Sequence, residues 1–137
     1  MTLRAALSLS IIVMLPAASL AQSSVPLQRT PIAVHDIAPP KEVTKISVVR
    51  LDFKPGQTTG RHMHPVPVIG YVLEGEFVVK FENQPEKHYT AGQSIYEPAN
   101  TVVERYDNAS DAKPAVIIAS YLAGQRQTEL IKFLPTK

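Results

Sequence analysis

From residue 45 to residue 122 the chain is a succession of short β-forming runs, each closed by turn chemistry, and this spacing constrains the fold more than any other feature. Residues 45–53 form the first run, and Lys54-Pro55-Gly56-Gln57 ends it with a Pro-Gly turn. Residues 66–73 follow, Glu74-Gly75 reverses the chain, and residues 76–81 return. Asn83-Gln84-Pro85-Glu86 turns it again, and residues 87–90 lead into Ala91-Gly92-Gln93. Runs at 94–97, 102–106 and 115–122 complete the set. Short strands spaced by about 8–12 residues, with turns between them, predict an all-β sandwich or barrel. Twelve Pro against six Gly fit many turns and few long helices. Residues 127–133 suit either a short helix or a last strand.

The amino terminus has a different pattern. Arg4 precedes an apolar stretch, 7–15, that only serines interrupt, and Pro16 ends it. Ser19 and Ala21 then place small residues at the −3 and −1 positions of a cleavage site before Gln22. The expectation is a signal peptide over 1–21 and a mature protein in the bacterial periplasm or outside the cell. The apolar stretch falls well short of the roughly 20 residues of a stable membrane anchor. Residues 22–44, rich in Pro, Ser and Gln, read as an extended arm in which Ile32 and Val34 pair as an edge strand. Residues 45–122 are then one barrel and 123–137 a C-terminal segment.

Composition narrows the chemistry. With 45% hydrophobic and 19% charged residues, the chain has the makings of one packed core. A net charge of +2 gives no footprint for nucleic acid. Without cysteine there are no disulfides, thiolate metal sites or thiol nucleophiles. Reactive groups must therefore come from His, carboxylates and Tyr.

His62-Met63-His64 is the leading candidate, because residues i and i+2 of an extended chain point to one face and can offer two imidazoles to one metal. Glu74 and Glu76 are expected at an exposed hairpin tip, and His35 and His88 in solvated loops. Tyr71, Tyr96, Tyr106 and Tyr121 lie in strands and are expected mostly as core or barrel lining. Arg61 and Arg105 read as anion-attracting or simply solvated, and Lys80, Glu82, Glu86 and Lys87 as edge charges that discourage sheet-to-sheet aggregation.

Gly56, five residues, His62-x-His64 and then Gly75 resembles the first motif of the cupin superfamily. The run from His64 to Glu76 (HPVPVIGYVLEGE) looks like small single-domain members. Gly92, five residues, Pro98, then Asn100 in place of a usual Gly, and Asn108 resemble the second motif. The resemblance implies a double-stranded β-helix, a jelly-roll-like cupin barrel, with a homodimer formed through the arm. It also implies a metal held by three His and one Glu, and here the pattern departs. The Glu position falls on Val68 or Ile69, and the last His falls on Val103 counting from Pro98 but on Glu104 counting back from Asn108.

The interval is one residue too long, and a one-residue slip exchanges the faces of a strand. If Val103 faces inward, two protein ligands remain; if a bulge turns Glu104 inward, His62, His64 and Glu104 form a set for Fe, Mn, Zn, Cu or Ni. Two readings follow. One is an exported binding module that holds a small molecule in its barrel beside a degenerate divalent-metal site. The other is a metal-dependent enzyme of dioxygenase, isomerase or decarboxylase type that uses His62, His64 and Glu104.

Overall fold

The structure, a computed structural model, describes residues 26–136, and the expected signal peptide lies outside the described residues. Nine strands form two antiparallel sheets, with no helix among the described residues. The strands are β1 (Lys45–Phe53), β2 (His62–Met63), β3 (Val68–Glu74), β4 (Glu76–Phe81) and β5 (Lys87–Thr90), followed by β6 (Ser94–Glu97), β7 (Val102–Asn108), β8 (Ala115–Ala123) and β9 (Lys132–Phe133). One sheet has the order β1-β8-β3-β6 and the other β5-β4-β7-β2-β9. The C-terminal segment supplies a strand, not a helix.

Alternation along the strands builds the core. In β3 the inward set Val68, Gly70 and Val72 is buried, whereas Ile69 and Tyr71 are half-buried on the outer face. Phe53, Val72, Ile95, Ala115 and Ile117 from one sheet meet Phe77, Val79, Phe81, Val103 and Tyr106 from the other. Phe53 and Phe77 pack edge to face at 5.0 Å. Full burial of side chains of this size contributes about 1.5–3 kcal/mol each. Val66, Val68, Ala119 and Ala123 form a second, smaller cluster, with Leu51, Tyr121 and Leu130 packed against it.

The turns lock this register. Gly75 reverses the chain at φ +79°, and a Cβ there would lie 2.8 Å from that of Ala115, so only Gly fits. Asn100 stands where the resemblance has a Gly and also adopts the left-handed region, at φ +60°, which Asn tolerates better than most side chains. Asn108 is buried and saturated: its amide nitrogen donates to the carbonyls of Lys54 and Lys113, and its side-chain oxygen accepts from the Ser110 amide.

The arm differs from expectation. Residues 26–44 contain no strand, and Ile32 and Val34 are exposed instead of pairing as an edge. The arm is anchored through a side chain: His35 stacks on Tyr96 at 5.1 Å, and its Nε2 lies 3.2 Å from the Ser94 hydroxyl. His35 is thus half-buried on the outer face of β6 and not solvated.

Candidate metal centre

His62 and His64 share one face, as their spacing predicts, and that face is the barrel interior, where both are buried, at 3% and 4% exposure. β2 is held between β7 and β9, with His62 opposite Val103 on one side and Phe133 on the other. The β6–β7 turn fixes His64 from behind, since the Asn100 amide donates to the His64 carbonyl at 2.7 Å. A third residue joins them. Glu97, the last residue of β6, is 4% exposed, and its carboxylate Oε2 lies 3.4 Å from His64 Nε2 and 3.8 Å from His62 Nε2.

The hydrogen bonds decide which ring nitrogens carry protons. His62 Nδ1 lies 2.8 Å from the Gly60 carbonyl and His64 Nδ1 2.6 Å from the Leu130 carbonyl. A carbonyl only accepts, so both Nδ1 atoms are the donors, and each neutral imidazole turns a bare Nε2 lone pair inward. Glu97 Oε2 is buried without a hydrogen-bond partner. Three acceptor atoms thus converge. Bonds of about 2.0–2.2 Å to one metal ion would separate such ligand atoms by roughly 3–3.5 Å, close to the distances seen. The donor set and the orphaned oxygen fit a divalent transition metal. The backbone carbonyls on Nδ1 are the outer partners that orient imidazole ligands in such sites.

The charges lean the same way. Burial pulls the His64 pKa down, but the Glu97 carboxylate and the Leu130 carbonyl outweigh it and leave the group above its ordinary 6.5. Burial pushes Glu97 up, yet the two imidazoles outweigh that and hold its carboxyl below 4.5. In the metal-free chain a falling pH therefore converts His64 to an imidazolium against the Glu97 carboxylate, whereas the neutral imidazole is the form that can take a metal.

Around these three groups the barrel leaves a cavity of about 40 Å³, lined by Leu51, Phe53, Ala119 and Ile131 together with Tyr106 and Tyr121. The Tyr121 ring lies 5.4 Å from that of His64, and the Tyr106 ring 6.5 Å from that of His62. Burial, reinforced by the Glu97 charge, raises both phenol pKa values, so both stay protonated donors. Gly70 makes room for one of them, because a Cβ there would come within 2.9 Å of the Tyr106 hydroxyl. Tyr71 and Tyr96 sit half-buried on the outer face, contrary to their expected place in the lining.

The structure does not bring Glu104 to this centre. A bulge is present, since Lys80 pairs with Arg105 and Phe81 with Val103, which leaves Glu104 as the extra residue. That extra residue is why the second motif counts one too long. It also lets Val103 and Tyr106, three apart, both face the core, while Glu104 goes to the outer side and meets the Lys80 ammonium at 2.7 Å. Val103 is fully buried at the position expected of a His.

The carboxylate comes instead from the next strand over. Val68, the residue at the expected Glu position, pairs directly with Glu97 across β3 and β6, so the two side chains share one face. The signal in the sequence was the alternation Ser94-Ile95-Tyr96-Glu97, which puts Glu97 on the face of Ile95. Of the remaining candidates, Glu76 and His88 form an exposed pair at 2.6 Å, and Arg105 is engaged with Asp107 and Glu86.

Comparison with known proteins places the chain. The family model described as a Cupin domain matches residues 49–121, more than half of the sequence. No curated protein matches. Among solved structures, an oxalate oxidase in complex with the substrate analogue glycolate is 26% identical, with a TM-score of 0.56 over 65% of this chain and 46% of that one. This chain therefore spans about half the length of that relative. A cupin-like protein from Thermotoga maritima is 24% identical at a TM-score of 0.57, over 65% and 64% of the two chains. A DMSP lyase from Ruegeria pomeroyi, 15% identical at a TM-score of 0.55 over 64% and 42%, shares the fold. The barrel, its two motifs and the matched span have one common explanation: the chain belongs to the cupin family.

Proposed function

We propose that this cupin binds one divalent transition metal through His62 Nε2, His64 Nε2 and the Glu97 carboxylate, and acts on a small oxygen-bearing acid in its barrel. The observation that carries the reading is the convergence of three buried acceptors while both Nδ1 atoms are committed to backbone carbonyls. Two His and one carboxylate leave coordination positions open, and a bound metal there would supply Lewis-acid chemistry to an oxygen of the ligand. The residues of the chain do the rest. Tyr106 and Tyr121 present protonated phenols to the ligand, Glu97 balances positive charge, and Leu51, Phe53 and Ile131 exclude water.

Size favours this reading over a storage module for apolar compounds. Cavities that hold drug-sized ligands run to about 300–1,000 Å³. This one is about 40 Å³, room for only a few water-sized groups. The oxalate oxidase relative was solved with a two-carbon acid, which supports a substrate of that class. Export and homodimerisation enter the proposal from the sequence. A periplasmic form starting at Gln22 and a light-scattering mass of two chains are the results that check them.

Elemental analysis of protein purified without chelator tests the central claim. About one equivalent of transition metal, lost in His62→Ala and in Glu97→Gln, is the expected result. Substoichiometric metal that neither substitution changes overturns it.

A further inference from the structure

The strand β8 ends at Ala123, and residues 124–131 lead from it to β9. Gly124 and Gln127 close a turn at 3.1 Å, and Leu130 packs on the Val66, Val68, Ala119 and Ala123 cluster. Ile131 lines the cavity. β9 pairs with only two residues, His62 and Met63, and the Leu134 amide donates to the Arg61 carbonyl at 2.8 Å. Phe133 is 68% exposed, yet its ring lies 6.3 Å from that of His62. Residues 124–134 therefore form a strap that touches both histidines and contributes Ile131 to the wall of the cavity between them.

A two-residue strand has little stability of its own, so the strap depends on what it packs against. The dependence is mutual, because the Leu130 carbonyl is the group that keeps the proton on His64 Nδ1 and its Nε2 bare. We propose that residues 124–134 are a positioning element of the metal centre and its gate: the closed strap orients His64 for the metal, and the bound metal holds the strap closed. The inference rests on the metal reading given above. By linkage, whatever free energy the closed strap adds to metal binding, the metal adds to closure. A cavity this small, lined by Ile131, admits its substrate when the strap lifts.

Limited proteolysis of the mature chain tests the coupling, with Zn²⁺ as the probe and bound zinc measured in the same samples. Trypsin has an exposed site after Lys132 in the strap and a reference site after Arg29 in the arm. Zinc is expected to slow cleavage after Lys132 by about tenfold and to leave cleavage after Arg29 unchanged. Bound zinc with equal rates at Lys132, with and without the metal, overturns the strap inference and spares the metal reading. Failure of the wild-type chain to bind zinc, or zinc binding that His62→Ala leaves unchanged, overturns both.

Leu130→Ala separates positioning from simple structural support. It keeps the Leu130 carbonyl but removes the side chain that seats the strap on the buried cluster. Zinc binding is therefore expected to weaken by about tenfold and cleavage after Lys132 to speed up in the metal-free chain. A lower melting temperature with unchanged zinc affinity of the folded protein would assign Leu130 to packing alone.

Discussion

Glu97 and Glu104 sit on successive strands of the same barrel and have opposite fates. Glu97 is buried inside, without a hydrogen-bond partner on Oε2 and against two imidazoles. Glu104 lies on the outer face of the five-stranded sheet, 2.7 Å from Lys80, along a groove edged by Arg61, Arg105 and Asp107. Glu104 keeps part of its hydration and a lysine partner, so its charge costs little to hold there. An interior carboxylate forfeits its hydration and is tolerated only where something inside compensates. The contrast shows that carboxylates are told apart by the face they occupy, and that only the interior one is placed to join the two histidines.

The largest expected effect separates the two directly. Glu97→Gln removes the only carboxylate of the cluster while keeping its shape, and metal affinity should fall by more than about a hundredfold, beyond the loss of an outer partner. Glu104→Gln should leave affinity unchanged. Calorimetric titration of both variants reads the difference, and equal losses would break the comparison.

The interior also titrates in a way the exterior does not. His64 is raised above 6.5 in the fold, so its contribution to the metal-free protein is complete below pH 6.5 and is lost as the pH climbs through the raised value. Glu97 is lowered below 4.5, so its contribution is present above 4.5 and lost as the pH falls through the lowered value. The metal-free chain should be most stable between these limits and weaken toward pH 8. Metal requires neutral imidazole, so the stabilisation it adds should grow over the same rise. Urea midpoints at pH 5.5 and 8, with and without zinc, should slope in opposite directions, and parallel slopes would argue against a metal at this cluster.

A smaller effect tests how tightly the interior is built. Gly70→Ala would place a Cβ 2.8 Å from Ile117 Cδ1 and 2.9 Å from the Tyr106 hydroxyl. Overpacking of this kind costs about 1–3 kcal/mol, visible as a lower denaturation midpoint. The smallest effect belongs outside. Removing the Lys80–Glu104 pair with Lys80→Ala should change stability by less than about 1 kcal/mol, since pairs open to solvent contribute little.

Much of the barrel was legible before any coordinates. The strands at 45–53, 76–81, 87–90 and 94–97 match the expected runs residue for residue, because Pro-Gly, Glu-Gly and Ala-Gly-Gln turns bound them locally. The shared face of His62 and His64 also follows from period-two geometry alone. The arm was less legible: Ile32 and Val34 carry β propensity, but the contact that docks the segment is His35 on Tyr96. Propensity describes single residues, whereas docking depends on which distant surface is nearby.

The sequence by itself determined an all-β barrel with two histidines on one face, since both rest on local turn chemistry and side-chain alternation, and the resemblance of its two motifs added the cupin family. Tertiary structure alone decided which carboxylate joins them. The bulge at Glu104 and the pairing of Val68 with Glu97 are matters of register between strands far apart in the chain. A one-residue shift in register reverses the faces of a strand, and no local pattern in β7 reports it; the alternation in β6 puts Glu97 on the face of Ile95 but does not say which side chains it meets.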